Sequence, residues 1–423
     1  MFIEKLKNLI PSFGQESPFF LTIDLNSDTL KVYLNEVVIV ENEEKIRIRK
    51  EYKEHVSEEV FSYGEVLDSS KLKNTLNSVL QEIKKDFKDL YVKNCIVLLS
   101  GQSSRSLMTT LQVNRTSNSE IDEKENNEIM QKLFEASYNE ISSVIYEENN
   151  QENIEMELID FTPVYISIDG REVIDLIGES GDEVQVCFSV FFGKSNLIDN
   201  FRRIFGSLGL EIKNFIPSNL AILKTLKKSR KDKIDCIILD IGGKTTEAIV
   251  CFGGGVLLNK TLDIGGSDFT KELANKLNLS YLNAEKVKRL YTFNKLKDKE
   301  SAVVQKVLTF NLENWLVGLE ELFMSFESVK VFPSDFFVVG GSCELPDVLE
   351  YLFEEPWTRS IPFKSLPKFK KIDFTTLNKL DKSQIQRPIE DLIPALASIY
   401  YLEKRNKAWL SLILKKTIGC FKS

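Results

Sequence analysis

The chain has 423 residues, a formal net charge of −8 and ample apolar content, enough for two or three hydrophobic cores. No uninterrupted apolar stretch approaches the ~20 residues needed to span a bilayer, and an acidic body with scattered lysines argues against nucleic-acid binding. One histidine, His55, sits in a charged segment and leaves nothing for a histidine-based triad or a His-rich metal site; the six cysteines form no CxxC pair and read as buried thiols of a reducing compartment.

Taken in order, residues 1–11 are too short and too punctuated for a secretory signal. Their apolar stripe (Phe2, Ile3, Leu6, Leu9, Ile10) ends at Pro11 and is expected to pack on the body, with a membrane anchor as the second reading. Residues 18–65 read as a run of strands, and 69–92 as a helix with Leu72, Leu76, Val79, Leu80 and Ile83 on one face. Residues 95–100 form a buried strand followed by a turn at Gly101. From 117 to 157 the chain is acidic and Asn-rich, yet Ile129, Leu133, Phe134 and Ile141 keep helical spacing and predict a solvated helix. Strands follow at 158–168, 172–178 and 183–192, so 94–190 is expected to be a compact α+β insertion. Helices are expected at 195–209, ended by Gly209, and at 217–228, before a basic loop at 227–233. The Pro- and Lys-rich connection from 354 to 390 is the least structured interior stretch.

Three strand–turn motifs carry the chemistry. The first is Thr22-Ile-Asp24-Leu-Asn-Ser-Asp28-Thr-Leu-Lys31-Val, and the second is Ile237-Ile-Leu-Asp240-Ile-Gly-Gly243-Lys-Thr-Thr246-Glu-Ala-Ile-Val250. Each is an apolar run, an Asp, a turn of small or hydroxylated residues, and a return to apolar alternation, which predicts a β-hairpin with a carboxylate at its tip. Phosphate oxygens need converging donors at close range, which Gly and Ser/Thr supply without obstruction. A carboxylate beside them holds Mg²⁺ through water, because magnesium dehydrates reluctantly. Asp24 and Asp240 are therefore the metal-holding and catalytic candidates, with Asn26, Ser27, Lys31, Gly242, Gly243, Thr245 and Thr246 as the phosphate cradle. Either hairpin alone reads equally well as an ordinary turn. The third motif is Asp335-Phe-Phe-Val-Val-Gly340-Gly341-Ser342, a buried strand opening through a Gly pair into a helix, which suits the flat face of a nucleoside. Glu285 and Lys288, three apart on one helix face, are candidates for its ribose and base, or else a solvent ion pair. Gly243-Lys244-Thr245 mimics the end of a P-loop, but Ile238 occupies the position where that loop needs its first Gly.

The order phosphate, phosphate, adenosine resembles the actin/Hsp70 superfamily, and the chain as a whole resembles the FtsA family. The likeness rests on both hairpins, Ile264-Gly-Gly266-Ser-Asp268-Phe-Thr270, the Ala284-Glu285 helix, the Val339-Gly-Gly341 turn, and the Leu99-Ser-Gly101, Asp160-Phe-Thr-Pro163 and Gln185-Val-Cys-Phe188 stretches of the insertion. It implies an α/β actin-like ATPase fold: two ribonuclease-H-like domains around a nucleotide cleft, an α+β insertion subdomain and a C-terminal amphipathic helix. The implied division is 15–93, 191–232 and 386–402 in the first domain, 94–190 in the insertion, and 233–385 in the second domain with a small upper subdomain at 262–330. Residues 403–423 are the linker and amphipathic helix. The implied function is an ATP- and Mg²⁺-binding division protein that polymerises on the cytoplasmic face of the inner membrane at the septum, as a peripheral filament, and tethers FtsZ through the FtsZ C-terminal tail. PilM, a cytoplasmic scaffold of type IV pilus assembly, shares most of the motifs and is the competing resemblance. Two departures matter. The Gly that normally follows the first Asp by two positions is Asn26, which tolerates left-handed geometry. Where relatives carry an acidic residue to orient the attacking water, this chain has Pro217-Ser218-Asn219, which implies slow hydrolysis at most.

In the tail, at about 100° per residue, Trp409, Leu410, Ile413, Leu414, Ile418 and Phe421 gather on one half of the wheel and Lys415 and Lys416 on the other. A basic amphipathic helix with terminal aromatics suits an anionic membrane surface, and a helix packed on the core is the other reading. The FtsA resemblance places a membrane-binding helix here, and filament formation would strengthen its reversible attachment through avidity.

Overall fold

A computed structural model describes residues 17–26, 29–62, 64–88, 90–99, 101–148, 154–229, 234–354, 356–372, 377–383 and 392–405. Ser27, the expected N-terminal stripe and the expected membrane residues Trp409, Leu410, Ile413, Leu414, Lys415, Lys416, Ile418 and Phe421 lie outside the described residues.

The chain begins as an antiparallel meander of β1 (Phe19–Leu25), β2 (Thr29–Val40) and β3 (Glu43–His55). A short hairpin, β4 (Phe61–Ser62) and β5 (Glu65–Val66), leads into α1 (Ser69–Asp86). The Asp68 carboxylate caps α1 by accepting from the backbone N–H groups of Ser70 and Lys71 at 3.0 and 2.9 Å. Leu72, Leu76, Val79 and Ile83 form its buried face, as their spacing predicts, but the helix ends at Asp86 rather than 92. Then come β6 (Asn94–Leu99), β7 (Ser104–Asn114), α2 (Glu123–Glu148), β8 (Met156–Ile168), β9 (Arg171–Glu172) and β10 (Glu183–Lys194). The expected strand at 172–178 shrinks to β9. Left-handed glycines at 170 and 178 bracket the stretch, and Ile174 is fully exposed. Next in order are α3 (Ser195–Ser207), β11 (Glu211–Pro217) and α4 (Ser218–Ser229), followed by β12 (Cys236–Ile241), β13 (Thr246–Phe252) and β14 (Gly255–Leu262). The last part comprises α5 (Gly266–Leu277), α6 (Tyr281–Thr292), α7 (Asp298–Met324), β15 (Asp335–Val339), α8 (Pro346–Glu354), β16 (Lys368–Lys371) and α9 (Ile393–Arg405). No helix among the described residues is long and apolar enough to cross a membrane.

These strands build two large sheets. The first runs β11-β6-β1-β2-β3, with β6 parallel to both β1 and β11. The sequence reading put residues 94–99 at the head of the insertion; they are instead the second strand of the first sheet. The reason is visible in β6 itself, buried on both faces from Cys95 to Leu99 as a central parallel strand must be. The second sheet runs β16-β15-β12-β13-β14-β7-β10-β8-β9. The pair Leu258–Leu107 joins the strands of the insertion to those of the second lobe. Within the insertion, Ile129, Leu133, Phe134 and Ile141 of α2 are buried against the sheet, with the Phe134 and Phe161 rings 4.9 Å apart. β16, which pairs in parallel with β15, falls in the stretch expected to be the least structured of the interior.

Period-two alternation divides the β12–β13 hairpin between two cores. Ile237, Leu239, Ile241, Ala248 and Val250 face the core capped by Trp315 and Phe323 of α7. Cys236, Ile238, Ile249 and Cys251 face the other way, into the core built on β1, β6 and α3. α9 closes that first core from the chain's far end. Its Ser398 hydroxyl lies 2.7 Å from that of Thr22 in β1, and its Tyr401 ring sits 5.0 Å from Phe20.

Candidate functional site

A cleft between the two sheets is lined from both sides by the strand ends that the motifs mark. Asp24 lies next to the end of β1, Asp240 lies next to the end of β12, and both line the same cavity with Asn26, Lys31, Gly242, Gly243, Thr245, Glu285, Lys288, Gly340, Gly341 and Ser342. All but Ser27 and Thr246 of the sequence-predicted nucleotide residues therefore converge on one space.

On the first hairpin Asp24 and Lys31 are cross-strand partners, with Lys31 Nζ 3.8 Å from Asp24 Oδ2. Asn26 turns its amide back to donate to the same oxygen at 2.8 Å, and its backbone N–H donates to the Thr29 carbonyl at 2.9 Å. The Asn that replaces the usual Gly thus holds the turn and orients the carboxylate. On the second hairpin, Gly242 N–H donates to the Thr245 carbonyl at 2.9 Å and closes a tight turn whose strands flank it as β12 and β13. The P-loop mimic is dismissed by the same geometry, because 236–241 is strand. Lys244 reaches across to the first lobe and pairs with Glu58 at 2.5 Å, which holds the Glu58 carboxyl below its usual range.

The glycines are packed together rather than loosely spaced. Gly340 has φ +93, and a Cβ there would lie 2.5 Å from both Asp240 Oδ1 and the Ile241 carbonyl. A Cβ on Gly341 meets nothing within 4 Å, so that glycine borders open space. Ser342 Oγ donates to the Gly242 carbonyl at 2.8 Å. The start of α5 docks on the same turn: Gly266 and Ser267 N–H groups donate to the Gly242 and Gly243 carbonyls at 3.0 and 2.6 Å. These helix N-terminal donors are spent on the protein and are not offered to a ligand.

Glu285 and Lys288 are more than a solvent pair. Lys288 Nζ lies 2.8 Å from Glu285 Oε2 and also donates to the Gly266 carbonyl and Thr270 Oγ1, at 2.7 and 2.6 Å. Burial pushes the Glu285 carboxyl up, but Lys288, Thr270 and Arg289 outweigh it and hold it below the ordinary range. Thr246 departs from expectation. Fully buried, it accepts from Trp315 Nε1 at 2.9 Å and donates to the Ile264 carbonyl at 2.9 Å, so its hydroxyl braces the lobe and does not line the cleft.

Glu247, Gly101, Gly266, Ser267, Tyr281 and Phe293 also line the cleft and were not singled out as site residues from sequence. Glu247 was legible in principle, since a hairpin turning at 242–245 sets residue 247 opposite Asp240. Among the described residues no group of three or more His, Cys, Asp or Glu side chains is placed to hold a metal. Asp24 and Asp240 line the same cavity, and two carboxylates fit a magnesium ion that would keep most of its water.

One solved structure spans the whole arrangement. The PilM–PilN type IV pilus biogenesis complex superposes over 91% of this chain and 97% of its own, at a TM-score of 0.59 and 17% identity. The fold is actin-like. In sequence the chain is similar to cell division protein FtsA of Helicobacter pylori, 31% identical over 130 residues, which is 30% of this chain and 26% of that protein. FtsA of Enterococcus hirae is 22% identical over 217 residues, 46% of this chain and 49% of the relative. The chain thus matches between a quarter and a half of the length of these curated relatives. No protein-family profile matches it. The cleft is lined by residues of both hairpins, of α6 and of the Gly340–Gly341 turn.

Proposed function

We propose that this FtsA-like chain binds ATP with magnesium in the cleft and works in cell division as a filament on the inner face of the cytoplasmic membrane, where it tethers FtsZ. The observation that carries the reading is the convergence of Asp24 and Asp240, each near the end of its strand, with Lys31, Thr245, Glu285, Lys288 and the Gly340–Gly341 turn around one cavity. In this reading Asp24 and Asp240 hold magnesium through water, and Asn26, Lys31, Gly242, Gly243 and Thr245 surround the phosphates. Glu285 and Lys288 meet the ribose and base, and Gly341 admits the nucleoside against the backbone. The nucleotide is first a structural ligand that sets the angle between lobes and the competence to polymerise, and turnover is slow. The FtsA likeness in sequence supports FtsZ as partner, through its C-terminal tail on the small upper subdomain at 262–330, and the linker and basic amphipathic segment at 403–423 as the membrane anchor.

The test is co-sedimentation with anionic liposomes, with and without ATP, of the intact chain and of one ending at Arg405. Tail-dependent pelleting that strengthens with ATP, together with capture of an FtsZ tail peptide, is the expected outcome. A specific observation favours a second reading: the solved structure that matches the fold at a TM-score of 0.59 contains PilM. A pilus scaffold would bind neither liposomes nor the FtsZ peptide and would instead retain a short inner-membrane pilus peptide.

A further inference from the structure

The 27-residue helix α7 is apolar on two opposite sides. One side, with Val304, Leu308, Leu312, Trp315, Leu319 and Phe323, is buried in the second core. About 180° round the same helix, Val303, Phe310, Val317 and Met324 recur at every seventh position, each between 51% and 58% exposed. They form a stripe about 32 Å long. One half-exposed apolar side chain is ordinary, but a strict seven-residue repeat of them is the seam that one helix offers to another of matching length. The charges on this face are segregated along it. Lys299 and Lys306 stand in its first half, Glu313 and Glu321 in its second, all exposed. Among the described residues neither Lys306 nor Glu321 has an ion-pair partner. Glu321 lies in the last turn, which holds no basic residue and where the helix dipole disfavours a carboxylate, so its own helix does not account for it.

We propose that this stripe of α7 pairs, antiparallel, with the same stripe of a second copy of the chain. One register serves the apolar and the charged groups together. With the two-fold axis midway between Glu313 and Asn314, Val303 falls opposite Met324, Phe310 opposite Val317, and Lys306 opposite Glu321 of the other copy. Each of these contacts occurs twice, because the interface is isologous. A parallel pair in register would instead set Lys306 on Lys306 and Glu321 on Glu321, and like charges so placed repel. One helix against one helix is a small interface, so the dimer is weak and reversible. The pairing uses no residue of the cleft and does not rest on the nucleotide reading.

The experiment is sedimentation velocity of the full chain at up to about 100 μM, without nucleotide or lipid, so that pairing is read apart from any ATP- or membrane-dependent filament. Wild type is expected to show a reversible monomer–dimer equilibrium. Phe310→Lys should weaken the dimer at least tenfold, since it sets an unpaired ammonium in the apolar seam. Lys306→Glu and Glu321→Lys should each weaken it about tenfold, as two attractive contacts become repulsive. Mixed one to one, these two variants should pair with each other at least tenfold more tightly than either does with itself, because the mixed dimer restores both contacts. Within one chain the two positions lie about 22 Å apart along α7, too far to compensate for each other, so the recovery is specific to this register. A wild-type chain that is monomeric throughout overturns the proposal; loss of an FtsZ tail peptide in Phe310→Lys would then give the stripe to that peptide, and dimers that appear only when the chain ends at Arg405 would give it to the chain's own tail. Dimers that Phe310→Lys leaves intact, or charge variants that mixing does not rescue, overturn it as well.

Discussion

Asp160 on β8 and Lys404 near the end of α9 offer the sharpest energetic test of how the chain's far end is fixed. Their atoms lie 2.8 Å apart, with the side chains 2% and 9% exposed, and Asp160 also accepts from Tyr400 Oη at 2.9 Å and the Phe161 N–H at 2.8 Å. Asp160→Ala strands an ammonium in a nearly dry site, which costs about 3–5 kcal/mol. Lys404→Met leaves a carboxylate that still has two donors, so its loss is about 2 kcal/mol, the range for one hydrogen bond to a charged group. The double variant removes both charges and orphans mainly the Tyr400 hydroxyl, at about 1–3 kcal/mol. The double mutant should therefore be less destabilised than the sum of the singles by at least about 2 kcal/mol. Urea unfolding followed by tryptophan fluorescence, at low and at 1 M salt, measures this. A buried pair keeps its coupling at high salt, where an exposed one is screened. Additive singles, an Asp160→Ala loss below about 1 kcal/mol, or coupling that vanishes in salt would refute the reasoning.

Two further outcomes follow from the cleft. Gly340→Ala must place a Cβ 2.5 Å from the Asp240 carboxylate at φ +93, a left-handed geometry that alone costs about 1–2 kcal/mol. It should lower both the urea midpoint and ATP-analogue affinity, the latter at least tenfold. Gly341→Ala, with open space before it, should leave the midpoint unchanged and weaken only the analogue. Equal effects of the two would refute the packing argument. Glu247 carries a pH signature in the apo fold. Its folded carboxyl is raised by burial, so the native state holds a proton where the unfolded chain has lost it. Stability must then fall as pH rises from the ordinary glutamate value through the folded one, and level off above. Midpoints measured across that span should slope less in Glu247→Gln, and parallel slopes would contradict the assignment.

Much of this architecture was legible because local pattern and tertiary role coincide. The stripe of α1 and the spacing of Ile129, Leu133 and Phe134 predict faces that are buried as expected. The three strand–turn motifs converge because the fold brings the ends of β1, β12 and β15 to one cleft. What was missed depends on pairing between distant segments, which no local window records. β6 reads as a generic apolar run, and only its parallel partners β1 and β11 place it in the first sheet. β16 lies among prolines and lysines because it is an edge strand, with Phe369 alone packed on the second core and its lysines exposed. Glu285 and Lys288 read as nucleoside contacts or else a solvent ion pair, and the Gly266 carbonyl and Thr270 hydroxyl that tie them down come from a helix that sequence spacing cannot orient.

Thr245 and Thr246 show the limit most plainly, since two identical neighbours were given one role and received two. Thr245 belongs to the turn before β13, whereas Thr246 is the first residue of that strand and takes the face of the second core. Thr245 lines the cleft, and the Thr246 hydroxyl joins Trp315 Nε1 to the Ile264 carbonyl. Thr246→Val keeps the shape and removes both bonds, leaving a buried indole N–H without its acceptor at about 1–3 kcal/mol. Its urea midpoint should drop while analogue affinity, extrapolated to fully folded protein, stays within threefold. Thr245→Val should do the reverse, with an unchanged midpoint and affinity reduced about tenfold, the scale of one lost hydrogen bond to a charged phosphate. If Thr246→Val abolished binding in a folded chain, the hydroxyl would have to reach the ligand from the other face, and the register of β12 on β13 would be wrong. The pair therefore tests the hairpin register and the position of the phosphates together.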